Sequence, residues 1–333
     1  MQLAIQNFLT QKYFIQAPIR GENKQIYGLS LSPQLNSDKV CFTGENAEFL
    51  KLPRREIYKK INDSIDNSNL LGYGTEGSVY AIPGTDYCLK YSRYRDSRTT
   101  LNKNFTLKVS QQDKVNHIVA RLGNDAVIMK HLKGVTVSEL NRYTFGVGVD
   151  ENIYRLLSFP NSAYRDYLLQ IVDALNYGME YDAHGGNLMV DFDAKTLTAL
   201  DFFPPQRMIN EQPLSKVYYP FLSINNISSK LEVAFARKIF DMLLDEFKPH
   251  TEQKLDFNKV DELLFLCDLY NDNILQIKPK QISQIHELFE NLKSLKEAEM
   301  SGVDVCKQLT KTISDLEKLL DKCLPHIDSG SNM

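Results

Sequence analysis

Tryptophan is absent from this 333-residue chain, and cysteine is scarce and scattered. The cysteines are odd in number and form no C-x-x-C pair; they are Cys41, Cys88, Cys267, Cys306 and Cys323. Disulfide frameworks and zinc modules are usually built from paired, closely spaced cysteines, so this distribution argues against both. We therefore expect reduced thiols, as in a cytosolic protein.

The sequence also lacks a long apolar run and a strong charge of either sign. No run approaches the ~20 apolar residues that a membrane-spanning helix needs, and the first residues lack the basic region and apolar core of a signal peptide. The 39 Lys and Arg residues against 42 Asp and Glu residues leave a net charge of −3, which does not indicate a protein whose overall charge suits nucleic-acid binding. These absences predict a soluble, cytoplasmic protein with no transmembrane segment and no nucleic-acid partner.

The hydrophobic pattern changes along the chain from that of strands to that of helices. From Asn69, short apolar segments alternate with glycines and the turn sequence PGTD, which predicts strands at about 68–73, 77–82 and 86–91. A helix near 110–122 and a short strand in DAVIMKHLKG follow. Later helices are predicted from apolar residues at helical spacing, at about 162–179, 229–247, 256–271, 281–298 and 304–323. A β-rich part followed by a helical part predicts the α+β class.

A glycine-rich segment, GYGTEGSVY, joins the first two predicted strands. Gly72, Gly74 and Gly77 have the spacing G-x-G-x-x-G and are followed by Val79. A dinucleotide-binding fingerprint with this spacing opens a helix, whereas the next residues here, SVYAI, are typical of a strand. A glycine-rich hairpin lets backbone amides cover nucleotide phosphates without obstruction by side chains. The alternative is a glycine-rich hairpin that binds no ligand.

Lys90 lies in the third predicted strand, thirteen residues after Gly77. A lysine in a half-buried strand is unusual unless its ammonium group is paired, and nucleotide phosphates would pair with it. By itself Lys90 is better explained as a surface residue of an edge strand. Its position after the glycine-rich hairpin favours the phosphate-binding interpretation.

The stretch YDAHGGNLMVDFDAKTLTALDFF holds residues suited to phosphoryl transfer. Asp182 and Asn187 are five residues apart, and Asp201 begins DFF after the apolar run LTAL. A carboxylate can orient an attacking hydroxyl and accept its proton, while an amide oxygen and a second carboxylate can hold Mg²⁺. We assign the first role to Asp182 and the metal to Asn187 and Asp201; taken singly, each acid could be a solvated turn residue. His184 is a candidate base that ranks below Asp182, with contact to the transferred phosphate or loop organisation as its roles.

Together these motifs resemble the protein-kinase-like superfamily over about residues 69–250. The segment AVIMKHLKG is similar to the strand and hinge that contact adenine in such enzymes, which implies Met129 and His131 as nucleotide-binding positions. The loop DAHGGN departs from the H-R-D-x-x-x-x-N of protein kinases. It is similar to the loops of phosphatidylinositol kinases and of atypical kinases among secreted bacterial effectors, and the lack of A-P-E after DFF favours the effector type.

The resemblance implies a two-lobed protein-kinase-like fold and an ATP- and Mg²⁺-dependent phosphotransferase. It divides the chain into an N-terminal extension or cap (1–65), an N-lobe (66–134), a C-lobe (135–275) and a C-terminal helical hairpin (276–333). The implied activity is that of a Ser/Thr protein kinase, secreted by a bacterium through a specialised system to act on host proteins. The alternatives are a lipid (phosphoinositide) or small-molecule kinase, a nucleotidyl transferase, and a pseudokinase that binds a partner.

Three departures from the family pattern bear on this expectation. Phe203 stands where D-F-G has glycine, and no activation-loop phosphorylation framework is visible. No glutamate occurs between Lys90 and Glu139, so the helix-C glutamate that would pair with Lys90 is missing. Asp113, at the start of the helix predicted near 110–122, is the acidic residue that we consider as its substitute.

The C-terminal segment has apolar residues at alternating four- and three-residue steps. They are Leu309, Ile313, Leu316, Leu320 and Cys323. This spacing is that of the seam between two packed helices, which predicts an antiparallel hairpin with the helix at 281–298. The seam either packs on the chain's own helices or binds a helical partner.

Overall fold

A computed structural model describes residues 48–73, 77–92, 105–140, 149–204, 219–221, 229–253, 255, 266 and 277–326. The chain divides into two compact units, Met1–Ile57 and Tyr58–Met333. Helix α1 (Glu48–Lys51) belongs to the first unit, and helix α2 (Arg54–Ser64) begins in the first unit and ends in the second. The rest of the predicted extension, residues 1–47, lies outside the described residues, as do Gly74 and all but Leu266 of the helix predicted at 256–271.

The N-terminal part of the second unit contains an antiparallel sheet. Its six described strands have the order β1-β2-β3-β6-β5-β4. They are β1 (Leu70–Tyr73), β2 (Gly77–Ala81), β3 (Tyr87–Ser92), β4 (Phe105–Thr106), β5 (Ile118–Leu122) and β6 (Ala126–Lys130). The first three coincide with the predicted strands, because the glycines and PGTD mark their turns.

The helix predicted near 110–122 is wrong in its second half. Ser110 and Asp113 form a reciprocal capping box that starts helix α3 (Gln111–Val115). His117 then adopts a positive φ of 58°, which ends the helix, and the chain continues directly into β5. The β-branched residues Ile118 and Val119 suit a strand, but their spacing from Val115 and Leu122 imitates helical periodicity. Cross-strand pairing with β6 decides the outcome.

The remaining described part of the chain is mostly helical, with two small sheets. The helices are α4 (Val137–Leu140), α5 (Val149–Leu157), α6 (Asn161–Asn176), α7 (Ser229–Phe247), α8 (Pro279–Met300) and α9 (Cys306–Cys323). The strands are β7 (Val135–Thr136), β8 (Glu180–Tyr181), β9 (Leu188–Asp191), β10 (Thr196–Ala199) and β11 (Phe202–Phe203). They pair in the orders β10-β9-β7 and β11-β8. The predicted α+β class is therefore confirmed: an antiparallel sheet region precedes a mostly helical part. No helix within the described ranges is long and apolar enough to cross a membrane.

Helices α8 and α9 pack against each other, and their facing residues belong to the main hydrophobic core. Four seam residues of α9 are buried: Leu309, Ile313, Leu316 and Leu320. A buried Arg237 on α7 connects this hairpin to the rest of the helical part. Its guanidinium donates to Asp241 on the same helix (2.8 Å), to Asp321 on α9 (2.7 Å) and to the carbonyl of Leu324 (3.2 Å).

Candidate active site

Lys90 and Asp201 meet although 111 positions separate them in the chain. Lys90 projects from β3, and its Nζ lies 2.5 Å from Oδ1 of Asp201, the residue just before β11. The two side chains are 26% and 45% exposed, respectively, so the pair is accessible to solvent and to a ligand. Asp201 has a positive φ of 56°. For a non-glycine residue this backbone conformation is costly and is often found at functional sites.

Asp182 and Asn187 belong to the loop between β8 and β9. The Asn187 Nδ2 group donates to the backbone oxygen of Asp182 (2.9 Å) and to its Oδ2 (3.2 Å). The backbone N–H of Asp182 donates to the carbonyl of Asp201 (3.3 Å), and Leu200 N–H donates to the carbonyl of Asn187 (2.7 Å). The loop and the segment preceding β11 are therefore fastened side by side, which brings both carboxylates and the amide into one site.

Two buried tyrosine side chains form hydrogen bonds that support this loop. The hydroxyl of Tyr181 donates to the carbonyl of Asn187 (3.0 Å) and receives a hydrogen bond from Tyr167 (3.3 Å). Both rings are fully buried, and burial raises the pKa of each hydroxyl. They remain protonated and act as hydrogen-bond donors in the support of the loop.

His184 organises the loop through its ring. Its Nδ1 accepts a hydrogen bond from Gly186 N–H (3.0 Å) and caps the 3₁₀ turn at Gly185–Asn187. The neutral ring therefore carries its proton on Nε2, which lies 3.5 Å from Asp182 Oδ2. Of the roles predicted for His184, loop organisation is the one supported by a contact within the described residues.

Gly186 is needed for this contact, and its replacement by alanine tests it. A Cβ atom at position 186 would lie 2.9 Å from Cε1 and 3.1 Å from Nδ1 of His184. We expect Gly186→Ala to displace the ring and to lose a hydrogen bond that contributes about 0.5–1.5 kcal/mol. Imidazole ¹⁵N NMR should show the Nε2–H tautomer of His184 in the wild type and a mixture of tautomers in the variant. In a His184→Ala background the same change should not alter stability further, since the partner is already absent.

Sequence analysis missed Asn116 and His117, which connect the N-terminal sheet region to the segment around Asp201. The amide of Asn116 accepts a hydrogen bond from Phe202 N–H (2.7 Å) and donates one to the Phe202 carbonyl (2.8 Å). Nε2 of His117 lies 3.3 Å from the carbonyl of Ala199. Burial lowers the pKa of His117, although this hydrogen bond opposes the shift, so the ring is neutral at neutral pH. No sequence motif marks these residues because both contacts span more than 80 positions.

Asp113 does not take the predicted place of the helix-C glutamate. Its carboxylate forms an ion pair with Arg121 on β5 and accepts hydrogen bonds from Ser110. Burial raises the pKa of Asp113, but the hydrogen bonds and the charge of Arg121 outweigh burial, and the net shift is downward. The Asp113 carboxylate therefore binds residues at the start of α3 and on β5. The carboxylate that pairs with Lys90 is that of Asp201.

The residues predicted to bind the nucleotide lie on the sheet or next to it. Val79 on β2 pairs with Lys90 in register and also with Gly72. A Cβ atom on Gly72 would meet no described atom within 4 Å, so packing does not require a glycine there. Gly77 begins β2, and Met129 lies on β6. His131 follows β6 and donates its backbone N–H to the carbonyl of Asp86 (2.8 Å).

The donor atoms at this site fit a magnesium ion. Nδ2 of Asn187 is turned toward Asp182, and the oxygen Oδ1 is the remaining atom of its amide. Asp201 adds a half-exposed carboxylate. Amide and carboxylate oxygens are the protein ligands that Mg²⁺ prefers, with water or phosphate completing its octahedral shell.

No protein-family model matches this sequence, and a search of curated proteins found no match.

Proposed function

We propose that this chain is an ATP-dependent phosphotransferase with a two-lobed, protein-kinase-like fold, and that it acts on Ser or Thr hydroxyls of proteins. The observation that carries this proposal is the convergence of Lys90, Asp182, Asn187 and Asp201 through direct hydrogen bonds and an ion pair. Two carboxylates, an amide oxygen and an ammonium group are the set that phosphoryl transfer needs. Chance would not be expected to bring these four types together from distant segments.

Asp182 is the residue proposed to act on the acceptor hydroxyl. Its side chain is 54% exposed, so an incoming hydroxyl can reach it. Asn187 Nδ2 and His184 Nε2 both lie near Oδ2 of this carboxylate, at 3.2 Å and 3.5 Å. Such positioning orients the hydroxyl for in-line attack and provides a base for its proton.

Lys90, Asn187 and Asp201 would hold the nucleotide phosphates and Mg²⁺. When bound, the metal neutralises phosphate charge. The Lys90 ammonium lies beside the Asp201 carboxylate and can contact a phosphate oxygen from the same position. The glycine-rich hairpin between β1 and β2 would cover the phosphates with backbone amides, as expected from its spacing.

We propose a protein as the phosphoryl acceptor because the sequence resembles secreted effector kinases. The same resemblance supports host proteins as the substrates. The DAHGGN loop also supports a lipid or small-molecule acceptor. The missing helix-C glutamate, together with Phe203, supports a pseudokinase as the alternative from another class. A labelling experiment distinguishes these functions.

The purified protein should be incubated with γ-labelled or α-labelled ATP, lysate proteins and phosphoinositide vesicles. We expect Mg²⁺-dependent transfer of the γ label to protein, and a strong reduction in the Lys90→Ala variant. Lys114→Ala is the matched control, because Lys114 is an exposed lysine on α3. Label on lipid would identify a lipid kinase, and transfer of the α label a nucleotidyl transferase. Nucleotide binding without any transfer would contradict an enzymatic function.

A further inference from the structure

We propose that His250, Glu299 and Cys306 form a zinc-binding site at the junction of α7, α8 and α9. This site is separate in sequence from the residues assigned to phosphoryl transfer, and the proposal does not depend on that function. His250 follows the end of α7 by three residues, Glu299 lies in the last turn of α8, and Cys306 is the first residue of α9. One ligand atom from each of the three residues lies within 4.8 Å of the other two.

The distances between these ligand atoms are near those of a tetrahedral zinc site. Nε2 of His250 is 3.5 Å from Sγ of Cys306, and that sulfur is 4.0 Å from Oε1 of Glu299. Zinc bonds of about 2.0–2.3 Å at tetrahedral angles place neighbouring ligand atoms about 3.6 Å apart. The His250 side chain is 81% exposed, so its ring can make the small adjustment that closes the site.

The surroundings already orient the carboxylate. The buried Lys296 donates to Oε2 of Glu299 (2.6 Å) and to the carbonyl of Lys248 (2.9 Å). The backbone N–H of His250 donates to Oε1 (3.0 Å), and this directs that oxygen toward the other two ligands. His250 itself has a positive φ of 61°, a costly conformation for a non-glycine residue. These contacts therefore fix the Glu299 carboxylate and the backbone of His250 beside each other.

The donor set and the charge favour zinc over magnesium or calcium. A thiolate and an imidazole are ligands for zinc and related transition metals, whereas Mg²⁺ and Ca²⁺ bind oxygen atoms. Asp304 lies next to the site and accepts a hydrogen bond from Cys306 N–H (3.4 Å). With the thiol deprotonated on binding, three negative groups (Cys306, Glu299 and Asp304) balance Zn²⁺ and the Lys296 ammonium. Water would complete the fourth position.

A metal at this position would fasten the α8–α9 hairpin to the end of α7. The spacing of the ligands explains why sequence analysis argued against a zinc site. His250 and Cys306 are 56 positions apart, and neither belongs to a closely spaced pair of ligands.

Cobalt titration of the full-length, reduced protein tests the site directly, because a cobalt–thiolate bond gives a charge-transfer absorption band. We expect this band to saturate at one Co²⁺ per chain and to disappear when Zn²⁺ displaces cobalt. Zn²⁺ should also raise the thermal unfolding midpoint. In Cys306→Ser the band should be lost, and in His250→Ala the affinity for Co²⁺ should fall by more than about tenfold, since even outer-shell partners contribute this much.

Cys323→Ser is the matched control, since Cys323 lies at the other end of the same helix and is also partly buried. It should retain the band and the Zn²⁺-induced rise in unfolding temperature. Circular dichroism checks that each variant is folded. If Cys306→Ser does not fold, His250→Ala still tests the site, because the exposed His250 side chain can be removed without disturbing the core. The proposal is overturned if the wild type gives no thiolate band, if Cys306→Ser retains it, or if His250→Ala binds Co²⁺ as tightly as the wild type.

Discussion

Replacing Asp182 with asparagine is expected to slow phosphoryl transfer by about 10²–10⁴-fold, the usual contribution of a positioned general base. Asparagine has nearly the same size, and its amide oxygen can still accept the hydrogen bond from Asn187 Nδ2. The loop geometry and the affinity for ATP should therefore be retained. What should be lost is the proposed ability of residue 182 to accept a proton from the attacking hydroxyl.

Single-turnover transfer from γ-labelled ATP, measured alongside nucleotide binding, checks this expectation. Asp193→Asn is the matched control, since Asp193 is an exposed aspartate in the turn between β9 and β10. It should transfer phosphate at the wild-type rate. A loss of ATP affinity in Asp182→Asn with an unchanged single-turnover rate would contradict the assignment.

Asn116→Ala is expected to produce the largest loss of stability among these variants, together with a weakened dependence of transfer on Mg²⁺. The substitution removes both hydrogen bonds to the backbone of the buried Phe202. Each backbone group left unpaired in a buried setting costs about 1–3 kcal/mol. Because Phe202 immediately follows Asp201, the Asp201 carboxylate that we propose as a Mg²⁺ ligand should lose its fixed position, and a higher Mg²⁺ concentration should be needed for half-maximal transfer.

Denaturant unfolding gives the stability change, and a Mg²⁺ titration of the transfer rate gives the positioning effect. Gln112→Ala is the control on α3, the helix that precedes Asn116, because Gln112 makes an exposed hydrogen bond to the carbonyl of Tyr177. It should destabilise the protein much less and leave the Mg²⁺ dependence unchanged. A destabilised Asn116→Ala variant with wild-type Mg²⁺ dependence would show that Asn116 supports the fold without positioning Asp201.

Local signals in the sequence were sufficient for the strands around the glycine-rich hairpin and for one long helix. The three strands β1, β2 and β3 and the long helix α7 agree with their predicted ranges to within two residues, since turn residues and apolar periodicity are properties of neighbouring positions. The same reasoning failed after α3. In the segment Ile118–Leu122 the apolar residues have helical spacing but include the β-branched Ile118 and Val119. This segment forms a strand because it pairs with β6.

The contacts that complete each site depend on which distant segments pack together. The contact between Asp182 and Asn187 follows from the sequence, because the two residues are five positions apart in one tight loop. Only the tertiary structure decided that Lys90 pairs with Asp201 and that Asp113 forms an ion pair with Arg121. It also decided that Asn116 hydrogen-bonds to the backbone of Phe202. The same is true of the meeting of His250, Glu299 and Cys306 at three helix ends. Spacing along the chain encodes the geometry of turns and helix faces, whereas these side-chain pairs form only when the packed core brings their elements together.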